Sequence, residues 1–313
     1  MRRKESGAVT AADIAALCGV SQGTVDRALH GRGEIRPETK ERILKVAAEY
    51  GYRPNISAQR LAGGKSGLVG VVLFDLKNAY FSELVMHLEE SFRAVDLLPV
   101  LMFSGKDPAT ERQCIQRLCA MGVEGIVLLP VGNGVEYERE LASLPVPVVT
   151  VGNRLGALAH IGIDDRRAMC ELALRMMERG YARYLYYAPV LAYGDANKEA
   201  QEARYQGFLD AAAQKGITPE TVCENDIDPT KIPADALVMA STDYYALRLI
   251  YAGVSAKQVT GFDHIALAED CRVPLTTVDG NSRAVARALA AFFAEAGKTG
   301  VSVTVPHELI FHE

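Results

Sequence analysis

Polar and small residues lie together in the stretch QGTVDRALH, which begins at Gln22. The guanidinium of Arg27 could pair bidentately with guanine, and the amide of Gln22 could read adenine in the major groove of DNA. Hydroxyl groups and backbone amides at two helix starts suit phosphate oxygens. These residue types favour contact with DNA, and the candidate set is Thr10, Ser21, Gln22, Gly23, Thr24, Asp26 and Arg27. The alternative is a surface helical hairpin in which Gln22 and Arg27 are merely solvated.

A second set of side chains, spread over the rest of the chain, has the composition of a small-molecule site. Carboxylates accept hydrogen bonds from vicinal hydroxyls, a guanidinium donates to ring or hydroxyl oxygens, and an aromatic ring covers an apolar C–H face. This combination is what a polyhydroxylated ligand needs. The candidate set is Asp75, Asn78, Tyr80, Phe81, Asn153, Arg154, Asp164, Arg204, Thr242, Asp243 and Asp263.

Several members of this second set have simpler explanations. Asp263 could cap a helix, and Arg204 could be a solvated or ion-paired side chain. Tyr80 and Phe81 could be core residues, since most aromatic side chains are. The neighbouring acids Asp164 and Asp165 resemble a metal pair, but a helix start explains them better because no further ligands are near in sequence.

Three short helices are expected to hold the first set. Thr10 can cap a helix with Asp13 as a weak capping-box partner, and Gly19 can end that helix in the left-handed conformation. Ser21 then caps a second helix from residue 22 to 30, and Pro37 begins a third that extends to Tyr50. The residues predicted to face inward are Ile14, Ala15, Leu17, Cys18, Val25, Ala28, Leu29, Ile43, Leu44, Ala47 and Tyr50. Two helices joined by a glycine-containing turn outline a helix-turn-helix, whose second helix enters the major groove.

Strands alternate with helices after residue 67, and this alternation predicts an α/β fold with doubly wound parallel sheets. The apolar run from Leu68 to Phe74 is typical of a strand buried on both faces. Further strands are expected at 98–103, 125–130, 146–151, 184–188, 236–240, 259–262 and 301–310, and helices at 81–95, 110–121, 165–179, 198–214, 245–252 and 282–296. The region from 216 to 236 is short for a strand–helix unit, so we expect one element there to be reduced to a loop. Ligands bind beyond the carboxyl ends of such strands, where the second polar set lies.

The charge of the chain is unevenly distributed. Residues 1–66 hold 12 Lys and Arg against 7 Asp and Glu, whereas the remainder holds 22 against 32. The basic segment is the one with the DNA motif, as phosphate binding requires. The six cysteines show neither C-x-x-C nor zinc spacing, and no signal peptide or membrane-spanning run is found. We therefore expect a cytoplasmic protein with reduced cysteines, no membrane association, no metal and no cofactor.

Ordered motifs along the whole chain resemble the lactose-repressor (LacI/GalR) family of bacterial transcription regulators. The amino-terminal ones are VTAADIAALCGVSQGTVDRAL, RPETKERI and GYRPNISAQRLA. The later ones are Asn78-Ala79-Tyr80-Phe81, Val123-Glu124-Gly125-Ile126, Ile163-Asp164-Asp165, Arg204-x-x-Gly207-Phe208, Gly261-Phe262-Asp263 and Pro274-Leu275-Thr276-Thr277-Val278. The resemblance implies a helix-turn-helix headpiece over residues 1–53, a hinge helix and linker over 54–66, and a two-lobed domain like the periplasmic binding proteins over 67–313.

The function that the resemblance implies is regulation of transcription. The chain is expected to be a repressor that binds a near-palindromic operator as a homodimer and is controlled by a small-molecule effector. In the family the hinge, matched here by Asn55, Ala58 and Leu61, forms a helix on DNA and wedges its leucine into the minor groove. Arg204 and Asp263 match recurrent effector contacts. The expected effector is a sugar or sugar derivative; the alternatives are a purine, another metabolite or a protein corepressor.

Departures from the family pattern leave the operator and the effector open. Asp26 stands where the family usually has a serine, and Arg60 lies one position later than the common hinge arginine. Thr242 replaces a frequent ligand-contacting asparagine, and the chain has no tryptophan to stack on a sugar.

Two other classes of protein fit the sequence less well. No G-x-S-x-G or H-E-x-x-H motif is present, and the Gly64-Lys65-Ser66 tail of a phosphate loop has glutamine where the first glycine belongs, so an enzyme is not expected. A free sugar-binding protein is opposed by the headpiece and by the missing signal peptide.

Overall fold

The computed structural model describes residues 9–30, 33, 35–52, 65–189, 198–223, 227–270, 272–295 and 300–312. By its contacts the chain divides into two compact units, residues 1–66 and 67–313. Elements are numbered along the described residues. None of the helices there combines the length and the apolar character that crossing a bilayer requires.

The amino-terminal unit contains the predicted helix-turn-helix. Helix α1 spans Ala11–Cys18, α2 spans Gln22–His30 and α3 spans Pro37–Glu49. The capping box is present: the Thr10 hydroxyl accepts a hydrogen bond from the Asp13 amide at 3.3 Å, and the Thr10 amide donates to the Asp13 carboxylate at 3.0 Å. Gly19 ends α1 with a left-handed φ of 60°. The sequence signals for starting and stopping these helices are therefore confirmed.

The core of this unit is smaller than expected from the sequence. Its buried residues are Ile14, Ala15, Cys18, Val25, Ala28, Ile43 and Ala47. Leu17, Leu44 and Tyr50, which were predicted to face inward, are 38%, 42% and 52% exposed. A short helix in a three-helix unit buries only a narrow stripe, and successive residues are turned by about 100°. Leu17 directly precedes the buried Cys18, and Leu44 directly follows the buried Ile43, so both leucines are turned away from the stripe. Tyr50 comes after the end of α3.

The larger unit contains a six-stranded sheet with the order β11-β5-β4-β3-β1-β2, in which all neighbouring pairs are parallel. A second, four-stranded parallel sheet has the order β7-β6-β8-β9, and an antiparallel pair joins β10 to β12. The strands are β1 (Leu68–Leu73), β2 (Leu98–Phe103), β3 (Gly125–Leu128), β4 (Val148–Thr150), β5 (Ala159–Gly162), β6 (Arg183–Ala188), β7 (Glu220–Cys223), β8 (Ala236–Ala240), β9 (Val259–Thr260), β10 (Thr277–Asp279), β11 (Ser302–Thr304) and β12 (Glu308–Ile310).

Helices follow most of these strands and cover both faces of the sheets, which gives the predicted doubly wound architecture. They are α4 (Ala79–Arg93), α5 (Pro108–Met121), α6 (Val135–Ala142), α7 (Asp165–Met177), α8 (Lys198–Lys215), α9 (Asp243–Tyr251), α10 (Ala266–Asp270) and α11 (Ser282–Ala294). Separate apolar clusters fill the space on the two faces of each sheet. Strand β1 is buried at all six positions, as its continuous apolar run predicted.

Five elements were not anticipated from the sequence: α6, α10, β5, β7 and β10. The single strand expected at 301–310 is wrong, because β11 joins the six-stranded sheet and β12 pairs with β10. Helix α6 is short and highly charged, β5 is interrupted by a histidine and a glycine, and β7 is a four-residue strand. Their periodic signals are too brief to be recognised. Between β7 and β8 the described residues contain a 3₁₀ turn at Pro229–Lys231, which agrees with the expected shortening of that region.

Close packing of α7 on α8 depends on Gly207. A Cβ atom at this position would lie 2.1 Å from the carbonyl oxygen of Arg166 and 3.0 Å from the amide nitrogen of Cys170. Both are backbone atoms of α7, so they cannot move aside as a flexible side chain could. The contact holds the inner face of α8 against the start of α7, where Arg204 reaches Asp165.

Replacing Gly207 by alanine is therefore expected to destabilise the larger unit by at least ~2 kcal/mol, because the helices must separate to admit the methyl group. Urea unfolding followed by circular dichroism measures this change. Gln206→Ala is the matched control, since residue 206 is exposed on the same helix and the substitution should change stability by less than ~0.5 kcal/mol. Equal stability of the two variants would contradict the close approach.

Candidate functional site

The six-stranded sheet and its helices form the first lobe of the larger unit, and the four-stranded sheet and its helices form the second. A pocket lies between these lobes, where residues that follow β1 and β4 meet residues of α8 and of the segment after β9. Its cavity volume is about 40 Å³, far below that of most small-molecule sites, so a ligand can enter only if the lining side chains or the lobes move apart. The residues that line it are Asn78, Tyr80, Phe81, Val151, Gly152, His160, Gly162, Ile163, Asp165, Ala200, Arg204, Phe262, Asp263 and Gly280.

The guanidinium of Arg204 is the centre of this pocket. Its Nε donates to Asp165 at 2.7 Å, and its Nη1 donates to the carbonyl oxygen of Ser241 at 2.8 Å and lies 3.2 Å from Asp263. Its carbon atom Cζ stands 3.8 Å from the ring centre of Phe262. The side chain is only 8% exposed. The Nη2 atom has no partner among the described residues, so one donor of the fork is left for a ligand.

Asp263 joins the two lobes. One of its oxygens faces Arg204, and the other accepts a hydrogen bond from the Asn78 amide at 2.8 Å. Asn78 also caps α4 in the first lobe, because its side-chain oxygen accepts from the amide of Tyr80 at 3.1 Å. The backbone of Asp263 has a φ of 121°, a conformation that aspartate rarely adopts. The cleft therefore places this carboxylate at some cost in backbone strain.

Burial governs the protonation of these groups. It raises the pKa of Asp263 to about 7, against the opposing effect of Arg204. Burial alone would lower the pKa of Arg204, but Asp263 and Asp165 outweigh it and hold that pKa above its ordinary value. The pKa of Tyr80 is raised by burial and by Asp263, so its hydroxyl keeps its proton. Burial, with smaller contributions from the carboxylates of Asp243 and Asp165, explains why Asp263 takes up a proton readily.

Five residues of the predicted effector set line the pocket: Asn78, Tyr80, Phe81, Arg204 and Asp263. The other six do not, and the structure shows what each does elsewhere. Asp75 pairs with Lys106 at 3.3 Å and accepts from the amide of Lys77. Asp164 and Thr242 cap helices, accepting from the amides of Arg167 at 3.0 Å and Tyr245 at 3.4 Å.

The remaining three also have structural partners. The side-chain oxygen of Asn153 accepts from the amide of Glu199 at 3.0 Å, and the amide of Arg154 donates to the Glu199 carboxylate at 2.5 Å. Asp243 is fully buried, and its carboxylate accepts from the amide of Ile265 at 2.9 Å and from the hydroxyl of Thr277 at 2.5 Å. The side chain of Arg154 donates to the hydroxyl of Ser302 at 2.9 Å, and none of the three residues lines the pocket.

Sequence reasoning missed Asp165, His160 and Phe262 as lining residues. Asp165 directly follows Asp164, and sequence alone does not show which of two adjacent acids turns inward. His160 lies on β5, a strand that the sequence did not reveal. Four further polar atoms of the second lobe are buried without a partner in the described structure: the hydroxyls of Tyr186, Ser241 and Thr260 and the side-chain oxygen of Gln201.

The candidate DNA-contacting residues are mostly on the surface of α2. Ser21, Gln22, Gly23 and Arg27 are exposed, and Thr10 is exposed at the start of α1. The Arg27 guanidinium folds back on its own helix, donating to the carbonyl oxygen of Gly23 at 3.2 Å. Thr24 is half-buried and bonded to Ser21 at 2.9 Å.

Asp26 is half-buried, and its charge adds to burial in raising the pKa of the Tyr52 hydroxyl. The predicted hinge residues Asn55, Ala58 and Leu61 lie outside the described residues, as does Arg60.

Comparison with known proteins agrees with this arrangement of a helix-turn-helix and a two-lobed α/β body. Residues 10–55 match the family model "Bacterial regulatory proteins, lacI family", and residues 66–246 match "Periplasmic binding proteins and sugar binding domain of LacI family". Catabolite control protein A of Staphylococcus xylosus is 27% identical over 291 residues, which cover 86% of this chain and 87% of that protein.

Two solved structures show the same fold. The lac repressor dimer bound to operator and the anti-inducer ONPF aligns with a TM-score of 0.76 and 19% identity over 98% of both chains. The complex of the transcriptional regulator CelR with cellobiose aligns with a TM-score of 0.65 and 20% identity over 97% of this chain and 99% of that one.

The fold and the matches define a transcription regulator with a DNA-binding headpiece and a sugar-binding type of body. The chain belongs to the LacI family.

The raised pKa of Asp263 predicts a pH dependence of stability. The folded protein takes up a proton near pH 7, whereas the unfolded chain does so only near pH 4. Because the folded state binds more protons at this carboxyl group, the contribution of Asp263 to the free energy of unfolding should rise by about 1 kcal/mol between pH 8 and pH 6, against the opposite contribution of the buried His160. Asp263→Asn should lack this increment in urea unfolding.

Asp210→Asn is the control for this experiment. Its carboxylate is exposed, and Arg166 lowers its pKa, so it titrates below the tested window. Parallel pH profiles of the wild type and Asp263→Asn would show that Asp263 is already ionised at pH 6.

Proposed function

We propose that this chain is a repressor that binds a near-palindromic operator as a homodimer and changes its operator affinity when a sugar or sugar derivative occupies the pocket. The observation that carries the proposal is the polar network in which Asp263 connects Arg204 of one lobe to Asn78 of the other. A ligand that enters this network competes for the bonds that hold the lobes together.

The chemistry of the pocket supports a polyhydroxylated effector. Arg204 offers a free donor, carboxylate oxygens have lone pairs left for hydroxyls, and Phe81 supplies an aromatic wall. The unpaired Ser241 hydroxyl lies beside the guanidinium, whose Nη1 bonds the carbonyl of the same residue. Structural neighbours are described with cellobiose and with D-xylulofuranose, which places sugars among the ligands of this fold.

The proposed coupling runs from the pocket to the hinge. Binding shifts the balance between two arrangements of the lobes, and the segment with Asn55, Ala58 and Leu61 forms its DNA-bound helix in only one of them. Such coupling is typically about 1–3 kcal/mol and acts equally in both directions. The ligand thus alters operator affinity by the same factor by which the operator alters ligand affinity.

The edge of the six-stranded sheet supports the homodimer. Strand β2 ends the order of this sheet, yet Leu98, Leu101 and Phe103 on it are 54%, 38% and 46% exposed. Exposed apolar edges invite pairing and are normally covered. A second copy of the chain would cover this edge and bring two headpieces to the two halves of an operator.

Selection of bound duplexes from a random pool tests the DNA-binding part. The wild type should enrich sites with two symmetric half-sites. Arg27→Ala should lose preference at one base position per half-site, at a cost of ~1–3 kcal/mol, because the guanidinium–base contact is gone. Arg175→Ala makes the same change of charge on the exposed surface of α7 and should leave the selected sequence unchanged. Enrichment of asymmetric sites, or an unchanged preference in Arg27→Ala, would contradict this assignment.

Sedimentation velocity tests the dimer. Leu98→Glu places a charge on the β2 edge and should shift a micromolar sample from dimer towards monomer. Val135→Glu is the control, since Val135 is 61% exposed but lies on the connection between β3 and β4, away from that edge. If both variants sediment like the wild type, the dimer does not use this edge.

A further inference from the structure

His160 is a buried residue of the pocket that lies outside the network of Asn78, Asp263 and Arg204. It lies on β5, is 4% exposed, and lines the pocket together with Gly162. Its Nε2 atom is directed towards Gly162, since a Cβ atom at that glycine would lie 3.1 Å from it. No described residue is a partner of Nε2, so this atom is free to meet a ligand.

The hydrogen bonds around the ring determine its tautomer. The hydroxyl of Thr150 donates its one proton to the carbonyl oxygen of Ala159 at 3.2 Å. The same hydroxyl lies 3.0 Å from Nδ1 of His160, and while its proton is on the Ala159 carbonyl it accepts there from an Nδ1–H group. Nε2 then carries the lone pair. Burial and the neighbouring Arg154 lower the pKa of His160 to about 4, so the ring is neutral and Nε2 is an acceptor at physiological pH.

The rest of the pocket is poorly suited to an anion. Among the described residues, the charged ones that line the pocket are Asp165, Arg204 and Asp263, so the one cation of this lining is already balanced by carboxylates. Phosphate groups in proteins are held by surplus cations or by free amides at helix starts.

Three of the helix starts near the pocket are already occupied by their own side chains. Asn78, Asp164 and Asn281 accept hydrogen bonds from first-turn amides of α4, α7 and α11 at 3.1, 3.0 and 3.1 Å. A phosphate or carboxylate placed among these groups would be repelled by the carboxylates of Asp165 and Asp263 and by the lone pair on Nε2 of His160. Among the described charged groups of the lining, only Nη2 of Arg204 would be left to donate to it.

We propose that the ligand of this pocket is an uncharged sugar or an amino sugar that donates a hydrogen bond to Nε2 of His160, and that phosphorylated and carboxylated sugars are rejected. The inference rests on the proposed function and narrows the chemical class of its effector. A buried acceptor without a donor is costly, so the site selects for a hydroxyl or amine at this position.

Matched sugar series test the charge preference on the full-length protein. Glucose, glucosamine and glucose 6-phosphate form one series, ribose and ribose 5-phosphate a second, and xylulose and xylulose 5-phosphate a third, with cellobiose added. Thermal shift identifies binders, and titration calorimetry measures their affinities. Every binder should be uncharged or an amino sugar, and its phosphorylated partner should bind at least 100-fold more weakly. A phosphorylated member that binds as tightly as its uncharged partner overturns the inference.

A thermodynamic cycle tests the role of His160 with the best binder and its monodeoxy analogues. His160→Phe should weaken binding of the parent sugar at least tenfold, and one deoxy analogue should bind wild type and variant equally, because the lost hydroxyl and the lost acceptor form the same bond. If His160→Phe does not fold, Thr150→Val replaces it, because valine has nearly the same shape as threonine. This substitution removes the hydrogen-bond partner of Nδ1 and should weaken sugar binding several-fold. Unchanged affinity in the folded variants overturns the assignment.

Failure of this inference differs from failure of the proposed function. If a phosphorylated sugar binds and changes operator affinity, the regulator proposal stands and the charge preference is wrong. If no member of any series binds, sugar control and the role of His160 are both rejected.

Discussion

The buried guanidinium of Arg204 is the constraint on which the larger unit depends. A charge taken out of water costs several kcal/mol unless opposite charges and hydrogen bonds replace its solvent. Asp165 at the start of α7, Asp263 after β9 and the carbonyl oxygen of Ser241 provide that replacement from three separate elements. The need to satisfy one side chain therefore fixes where these elements meet.

In the proposed function, the same network makes the cleft responsive to a ligand. Two carboxylates share one cation, and the bond from Asn78 to Asp263 extends the network into the other lobe. Tyr80 and Ile163 reinforce this link, because each packs against apolar clusters of both lobes. A ligand that donates to Asp263 or accepts from Arg204 changes groups that already hold the lobes, so binding and lobe arrangement are linked without any long chain of contacts.

Much of the architecture could be predicted from the sequence because its signals are local. Capping at Thr10, the left-handed Gly19 and the apolar run of β1 each depend on a few neighbouring residues. Arg204 and Asp263 were predicted in the pocket because they follow the family pattern and the rule for the carboxyl ends of strands. The burial of individual side chains was harder to predict, as Leu17 and Leu44 show, because it depends on which neighbouring elements cover a helix face.

Individual side-chain roles in the cleft could not be derived in the same way. Asp243 was expected to contact a ligand, but its partners Ile265 and Thr277 come from elements 22 and 34 residues away, which a single sequence does not reveal. Asp164 and Asp165 are adjacent and chemically identical, yet one caps a helix and the other binds Arg204. The backbone turns between these two residues, so their side chains point in different directions, and this decides which of them caps the helix and which contacts Arg204.

The claim that the Asn78–Asp263 bond carries the signal is tested most directly by a double-mutant cycle read out in operator affinity. Fluorescence anisotropy with the selected operator would measure the change in affinity caused by a saturating sugar for the wild type, Asn78→Ala, Asp263→Ala and the double variant. We expect each single substitution to remove most of the sugar response and the double variant to lose no more than either one. A full response in both single variants, at sugar concentrations that saturate them, would contradict this account.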